Sequence, residues 1–316
     1  MIYIVNDLHG NKTLTDETVK SIRRMRHGDI LIINGDGAGA RGPIMNNLIK
    51  IFYEVRRDET DEAVLVDTVG TIIGEQPEFP REWIYDTVHG GLFRALLAKR
   101  YKAFADCLDR ELVDVLEETL EPLSQAAMIH GVKLVYLPGN GEITPNDFST
   151  EVYTEEVSVE PEKRFYQRLH NEGFFREYGI DYIPYIAEMD GCLLVSANAL
   201  DLSIEEVSEL LRQHVSEDDS FKTVIAHYPP EIEPVREAFG FWTPNQTDVK
   251  RSDTLKAILG EVKLDETAKF YFGHIHLGAN DDRMAVYPAA MGFEMSGYQC
   301  IWVKPGTVVR GLAHLK

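Results

Sequence analysis

A chain of 316 residues with 44% apolar and 27% charged residues is long enough to bury a sizeable core, and its composition is that of a folded, enzyme-sized body. Its 52 acidic against 32 basic residues give a formal charge of -20, which opposes nonspecific binding to DNA, RNA or an anionic membrane surface. The three cysteines, Cys107, Cys192 and Cys300, are far apart and form no Cys-x-x-Cys pair, so they argue against a disulfide framework or a thiolate zinc site and read as buried thiols.

The apolar run Ile2-Tyr3-Ile4-Val5 predicts a first strand, ending in Asn6-Asp7-Leu8-His9-Gly10-Asn11. Asp7 and His9 stand two apart, so their side chains leave on one face at the C-terminal edge, where open α/β sheets place ligands. A helix over Thr13 to Arg26, a turn at Gly28-Asp29 and a strand from Ile30 to Asp36 follow, which is the order of a parallel sheet with buried, continuously apolar strands. Next comes a Gly-rich turn from Gly35 to Gly42, with Arg41 inside it. Pro43 is placed to open a helix through Ile51 to Val55.

From Asp58 to Gln125 the pattern reads as an insertion between two sheet strands, predicting a helical cap or an oligomer contact. Its first half suggests a hairpin around Val64 to Ile73. Its second half carries an amphipathic helical stripe from Leu92 to Leu116. The sheet resumes at Val132 to Leu137, followed by Pro138-Gly139-Asn140-Gly141-Glu142, and Lys163 to Leu169 reads as a short helix. Tyr182 to Ala187 and Leu193 to Ala197 predict a hairpin turning at Asp190-Gly191, and Ser203 to Glu206 is a capping box for a helix to His214. Thr223 to Ala226 then ends in His227, and Lys269 to Phe272 ends in Gly273-His274-Ile275-His276. Ala285 to Ala289 and Gln299 to Val303 complete the expected strands. The chain begins directly with a strand, and no apolar run reaches about 18 residues, so a cytoplasmic location with no membrane partner is the expectation.

The recurring event is a strand that ends in a potential ligand: Asp7, His9, Asp36, Asn140, His227, His274 and His276. Seven oxygen and nitrogen donors without a thiolate exceed the needs of one tetrahedral ion and suit two ions sharing a carboxylate. Such a pair binds the nonbridging oxygens of a phosphate and lowers the pKa of a water toward neutrality.

In these motifs the chain resembles the calcineurin-like metallophosphoesterases. Asp7-Leu8-His9, Gly35-Asp36, Gly139-Asn140-Gly141-Glu142, His227 and Gly273-His274-Ile275-His276 follow the family pattern in order. The resemblance implies an α/β fold, a two-sheet β-sandwich flanked by helices, forming a single domain over 1–316 with a cap or oligomerisation segment at 58–125. It implies two divalent ions, manganese foremost, with iron, zinc, nickel or cobalt as alternatives. Asp36 would bridge them, with Asp7, His9 and His276 on one ion and Asn140, His227 and His274 on the other.

The activity implied is a phosphodiesterase or nucleotide-type phosphohydrolase acting on a small-molecule phosphoester through metal-activated hydroxide, with Asp36, Asn140, Arg41 and Glu142 as the catalytic set. Arg41 matches a phosphate-gripping Arg of the protein phosphatase branch imperfectly, because the turn here is one residue longer. Two other readings stay open: a protein phosphatase or other phosphomonoesterase, and a noncatalytic scaffold of the same fold, in either case free to form a homo-oligomer. The departure from the family is Gly141, where the pattern has the His that assists the leaving group.

Overall fold

The computed structural model describes residues 1–38, 61–78, 100, 102–140, 165–216, 219–240, 242, 244, 246–275 and 287–311. The chain divides into two compact units: Met1–Gly37, Thr119–Gly141 and Gly173–Lys316 form the first, and Ala38–Glu118 with Glu142–Glu172 form the second.

In the first unit, β1 (Ile2–Asn6) and β2 (Ile30–Asn34) pair in parallel, and β2 is almost wholly buried, as its uninterrupted apolar sequence requires. The helix Lys12–Ile22 between them starts where Asn11 accepts hydrogen bonds from the backbone N–H groups of Thr13 and Leu14. Then come β3 (Lys133–Leu137) and β4 (Ile180–Tyr182), both added in parallel. A short β11 (Val309–Arg310) pairs antiparallel with β1, giving the order β11-β1-β2-β3-β4.

The second sheet has the order β5-β6-β7-β8-β10-β9, from β5 (Ile186–Met189), β6 (Cys192–Val195), β7 (Ser220–Ala226), β8 (Lys263–Phe272), β9 (Ala290–Met295) and β10 (Tyr298–Val303). Both sheets are mixed, and helices such as Ile204–His214 and Gln246–Glu261 flank them. One buried apolar cluster draws on both sheets, with Ile4, Ile32 and Val135 from the first and Leu194, Ile225 and Tyr271 from the second. Two asparagines tie the sheets further. Asn6 and Asn34, register partners at the ends of β1 and β2, send their amides to the carbonyls of Val303 and Ala226. Cys192 and Cys300 are buried, and Cys107 is half-buried.

Three expectations need correction. The segment Val64 to Ile73 lies in a helix, Asp61–Ile73, and not in a hairpin. Its β-branched residues suggested strands, but Leu65 and Val69 are buried four apart, so one helical face packs inward. The hairpin around Asp190-Gly191 is present with a two-residue loop, both loop residues at positive φ, but its first strand begins only at Ile186. Tyr182 belongs to β4 of the other sheet. Of the strand expected over Ala285 to Ala289, residues 285 and 286 lie outside the described residues and 287–289 are not strand; the strand here is Ala290–Met295, closed onto β10 by Ser296-Gly297 at φ 45° and 81°. That Ser-Gly pair is itself a hairpin signal in the sequence.

In the second unit, the expected amphipathic stripe corresponds in part to the helix Lys102–His130, which crosses into the first unit and buries Leu112, Leu116, Leu120, Leu123 and Ala127 at helical spacing. The short helix expected near Lys163 to Leu169 is Phe165–Glu172. Of the proposed insertion, 58–118 lies in this unit and 119–125 in the first, while its residues 58–60, 79–99 and 101, like the expected helix after Pro43, lie outside the described residues.

Candidate metal centre

Each candidate ligand among the described residues follows the C-terminal end of a strand by one to three residues. Asp7 leaves β1, Asp36 leaves β2, Asn140 leaves β3, His227 leaves β7 and His274 leaves β8. Backbone hydrogen bonds stitch these strand ends together: His9 N to Asp36 O at 2.9 Å, Gly10 N to Gly37 O at 2.7 Å and Gly273 N to His227 O at 3.1 Å. The Asp7 carboxylate also accepts from the His274 N–H at 3.1 Å.

Asp7, Asp36 and His227 are buried, each with one donor atom within 4.8 Å of the others', a group able to hold a metal ion. Asp36 presents its two oxygens to different histidines, Oδ1 at 3.6 Å from His227 Nε2 and Oδ2 at 3.8 Å from His9 Nε2. Asp7 Oδ1 lies between the same two rings, 4.0 Å from His9 Nε2 and 3.7 Å from His227 Nδ1. On the other side, Asn140 Oδ1 stands 2.8 Å from His227 Nε2 and 2.9 Å from His274 Nδ1. Six of the seven predicted ligands thus fall into one contiguous group, with Asp36 in the middle and His9 at its edge. His276, Arg41, Glu142 and Gly141 lie outside the described residues.

Three glycines make this density possible. A Cβ at Gly35 would sit 2.0 Å from His227 Nδ1, one at Gly139 would sit 2.0 Å from Asp36 Oδ1, and one at Gly273 would sit 2.6 Å from Asp7 Oδ2. Each glycine precedes one ligand in sequence and packs against another in space. The backbone is strained here as well. Of the five non-Gly residues at positive φ among those described, Asp190 and Ser296 belong to hairpin turns, and the other three are Asp7 (52°), His9 (50°) and His274 (66°). A left-handed non-Gly residue costs roughly 1–2 kcal/mol, and such strain persists where the surroundings hold a side chain to a task.

The electrostatics suit a cation. Burial pushes the His227 imidazole down to about 3, outweighing the pull of Asp36, so at neutral pH the ring is uncharged with a nitrogen lone pair available to a metal. Two carboxylates buried side by side cost several kcal/mol each in desolvation unless positive charge offsets them. A neutral His227 cannot supply that charge. A divalent ion can.

The chain matches no known family model and no curated protein. Two solved structures align with it. One is the phosphopantetheinyl hydrolase PptH from Mycobacterium tuberculosis, at a TM-score of 0.38 and 11% identity, covering 96% of this chain and 89% of that one. The other has a TM-score of 0.45 and 13% identity, covering 96% and 90%. None of the described helices is long and apolar enough to cross a membrane.

The sequence reading missed the side chains around His274. Asp248 Oδ1 is 3.3 Å from His274 Nε2, and both residues are largely buried. The Tyr228 ring lies against the His274 ring, with centroids 4.0 Å apart, and its hydroxyl accepts from Arg251 Nη1. In the sequence Tyr228 is only the residue after His227. Asp248 and Arg251 sit on a helix, and no strand-end pattern points to them.

Proposed function

We propose that this chain is a metal-dependent phosphohydrolase of the calcineurin-like metallophosphoesterase type, its two sheets forming the sandwich of that fold, and that it prefers phosphodiesters or nucleotide-type anhydrides. The observation that carries the reading is the convergence of Asp7, Asp36, Asn140, His227 and His274 from five separate strand ends into one group, with His9 at its edge. An oxygen- and nitrogen-only donor set built around a central carboxylate suits two borderline or hard divalent ions better than one tetrahedral zinc.

Asp36, with one oxygen toward His227 and the other toward His9, would be shared between the ions, with Asp7 and His9 holding one and Asn140, His227 and His274 the other. When bound, the ions supply Lewis acidity toward phosphoryl oxygens and lower the pKa of a water to near neutrality. The protein's part is to hold the donors apart from bulk solvent in fixed positions. The tight glycine packing and the strained backbone at Asp7, His9 and His274 support that role. His276 completes the first set in this reading, Arg41 is the candidate for gripping the phosphate, and Glu142, a carboxylate beside two cations, is a poor proton donor for the leaving group.

The substrate preference rests on Gly141. A His at this position protonates a poor leaving group, an effect typically worth about 10² to 10⁴ in rate. Gly141 has no side chain to do so, which leaves esters and anhydrides whose leaving group departs easily. The test combines metal analysis with a phosphoester panel under manganese. Two ions per chain with diester or anhydride hydrolysis outpacing alkyl monoesters is the expected result, and Gly141→His should raise monoesterase activity. Alkyl monoester hydrolysis faster than diester hydrolysis in the unmodified protein would make it a phosphomonoesterase, and two bound ions with no hydrolysis of any phosphoester would make it a scaffold.

A further inference from the structure

The helix Gln246–Glu261 brings two buried charged residues, one turn apart, toward one imidazole. Asp248 stands 3.3 Å from His274 Nε2, on the edge of the ring opposite Nδ1, which faces Asn140. Arg251 grips the Asp201 carboxylate through two nitrogens, at 2.7 and 2.9 Å, and donates to the Tyr228 hydroxyl at 2.5 Å. Tyr228, fully buried, lies along the face of the same imidazole at an interplanar angle of 31°. His274 is therefore held by one edge and one face.

A structural explanation covers only part of this. Asp248 is in the first turn of its helix, where a carboxylate is favoured by the helix dipole, but that effect needs no burial and is obtained equally at an exposed position. Burying a carboxylate costs several kcal/mol, and its placement beside the one imidazole edge turned away from the donor cluster gives that cost a purpose. A ligating histidine commonly directs its other nitrogen at a carboxylate, which fixes the ring's tautomer and orientation and strengthens the ligating nitrogen.

We propose that Asp248 and Arg251 are positioning residues for His274. Asp248 acts on Nε2 directly and Arg251 through Tyr228, so that Nδ1 stays turned toward the ion shared with Asn140 and His227. This rests on the dinuclear reading above. Neither residue touches substrate. Their effect is on the affinity and geometry of the ion held by His274.

Cobalt(II) titration of the full-length, metal-free chain, followed by visible absorption, provides the test. Asp248→Ala should weaken the ion at His274 about 10- to 100-fold, the usual cost of losing such an outer partner, and alter the cobalt spectrum. Asp248→Asn, the same size and with an oxygen that can still accept, should restore part of the loss. Tyr228→Phe keeps the stacked ring but cuts the link to Arg251, and a smaller fall is expected. Asp253→Ala, on the exposed side of the same helix, should match the parent. Asp248→Asn decides the matter if Asp248→Ala does not fold. A parent that takes up two ions, with Asp248 variants matching it in affinity and spectrum, overturns the positioning role alone. A parent that takes up no ion overturns the dinuclear reading and this inference with it.

Discussion

Gly139→Ala isolates the packing of the centre from its chemistry, because it removes no donor. Gly139 is not at positive φ, so an alanine is not excluded there by backbone conformation. The obstacle is space. Its Cβ would stand 2.0 Å from Asp36 Oδ1, 2.5 Å from Asp36 N and 2.8 Å from Gly35 Cα, where ordinary contacts begin at 3.4 Å. A flexible carboxylate tip can give way, but two of those three atoms are backbone, so the ends of β2 and β3 must separate. Overpacking of this kind typically costs about 1–3 kcal/mol. At about 2–4 °C per kcal/mol for a chain somewhat smaller than this one, the melting temperature should fall by roughly 2–12 °C. The functional loss should exceed the stability loss, because Asp36 is displaced by more than about 1 Å, and misplacements of that size cost on the order of 100-fold in rate. Calorimetry, metal titration and hydrolysis on the same preparation measure all three effects. A variant that melts as the parent does, binds both ions and hydrolyses at the parental rate would refute the packing argument and the central place given to Asp36.

Asp36→Asn should bind at most one ion tightly and lose more than about 100-fold in hydrolysis, since the amide cannot offset charge between two cations; isothermal titration with manganese checks the stoichiometry. The metal-free protein should lose stability as the pH falls from about 6.5 toward 3. His227, held down to about 3 by burial, stays neutral in the fold while its unfolded counterpart takes up a proton, so its contribution is whole above 6.5 and disappears on the acid side. Urea midpoints between pH 7 and 4 should show this slope, and His227→Asn should flatten it. Gly260→Ala should stabilise the protein by about 0.5–1 kcal/mol, because Gly260 lies inside the helix Gln246–Glu261 with nothing within 4 Å of an added Cβ; a fall in urea midpoint would be the contrary result.

The strands that carry ligands were legible because each is an apolar run stopped by a polar group, a local pattern that needs no tertiary knowledge. β1, β2, β3 and β7 fall within a few residues of expectation for that reason. One miss comes from the ambiguity of short β-branched runs. Val64, Val66, Val69, Ile72 and Ile73 satisfy a strand's composition, and only the burial of Leu65 with Val69 on one side decides for a helix. Tyr182 to Ala187 reads as one apolar run leading into the hairpin, yet Tyr182 pairs with Tyr136 in the other sheet. No local signal marks where a chain leaves one sheet for another.

The centre divides along the same line. Asp7, Asp36, Asn140, His227 and His274 could be read one at a time, because a metal ligand after a strand is a sequence-local event. The glycines could be read too, although their purpose could not: Gly35, Gly139 and Gly273 look like turn residues, and only in three dimensions does each prove to be the space into which another strand's ligand fits. Asp248 was illegible altogether. It is the third residue of a helix, where an acidic side chain is ordinary, and what sets it apart is burial beside His274, some 26 positions away. Groups that orient a ligand are selected for a distance and an angle to that ligand, and any element of the fold that passes close enough can supply them. A motif therefore reveals the donors, while the residues that aim the donors become visible only with the fold, and variation in the rate or metal affinity of such a centre can arise at positions that no motif contains.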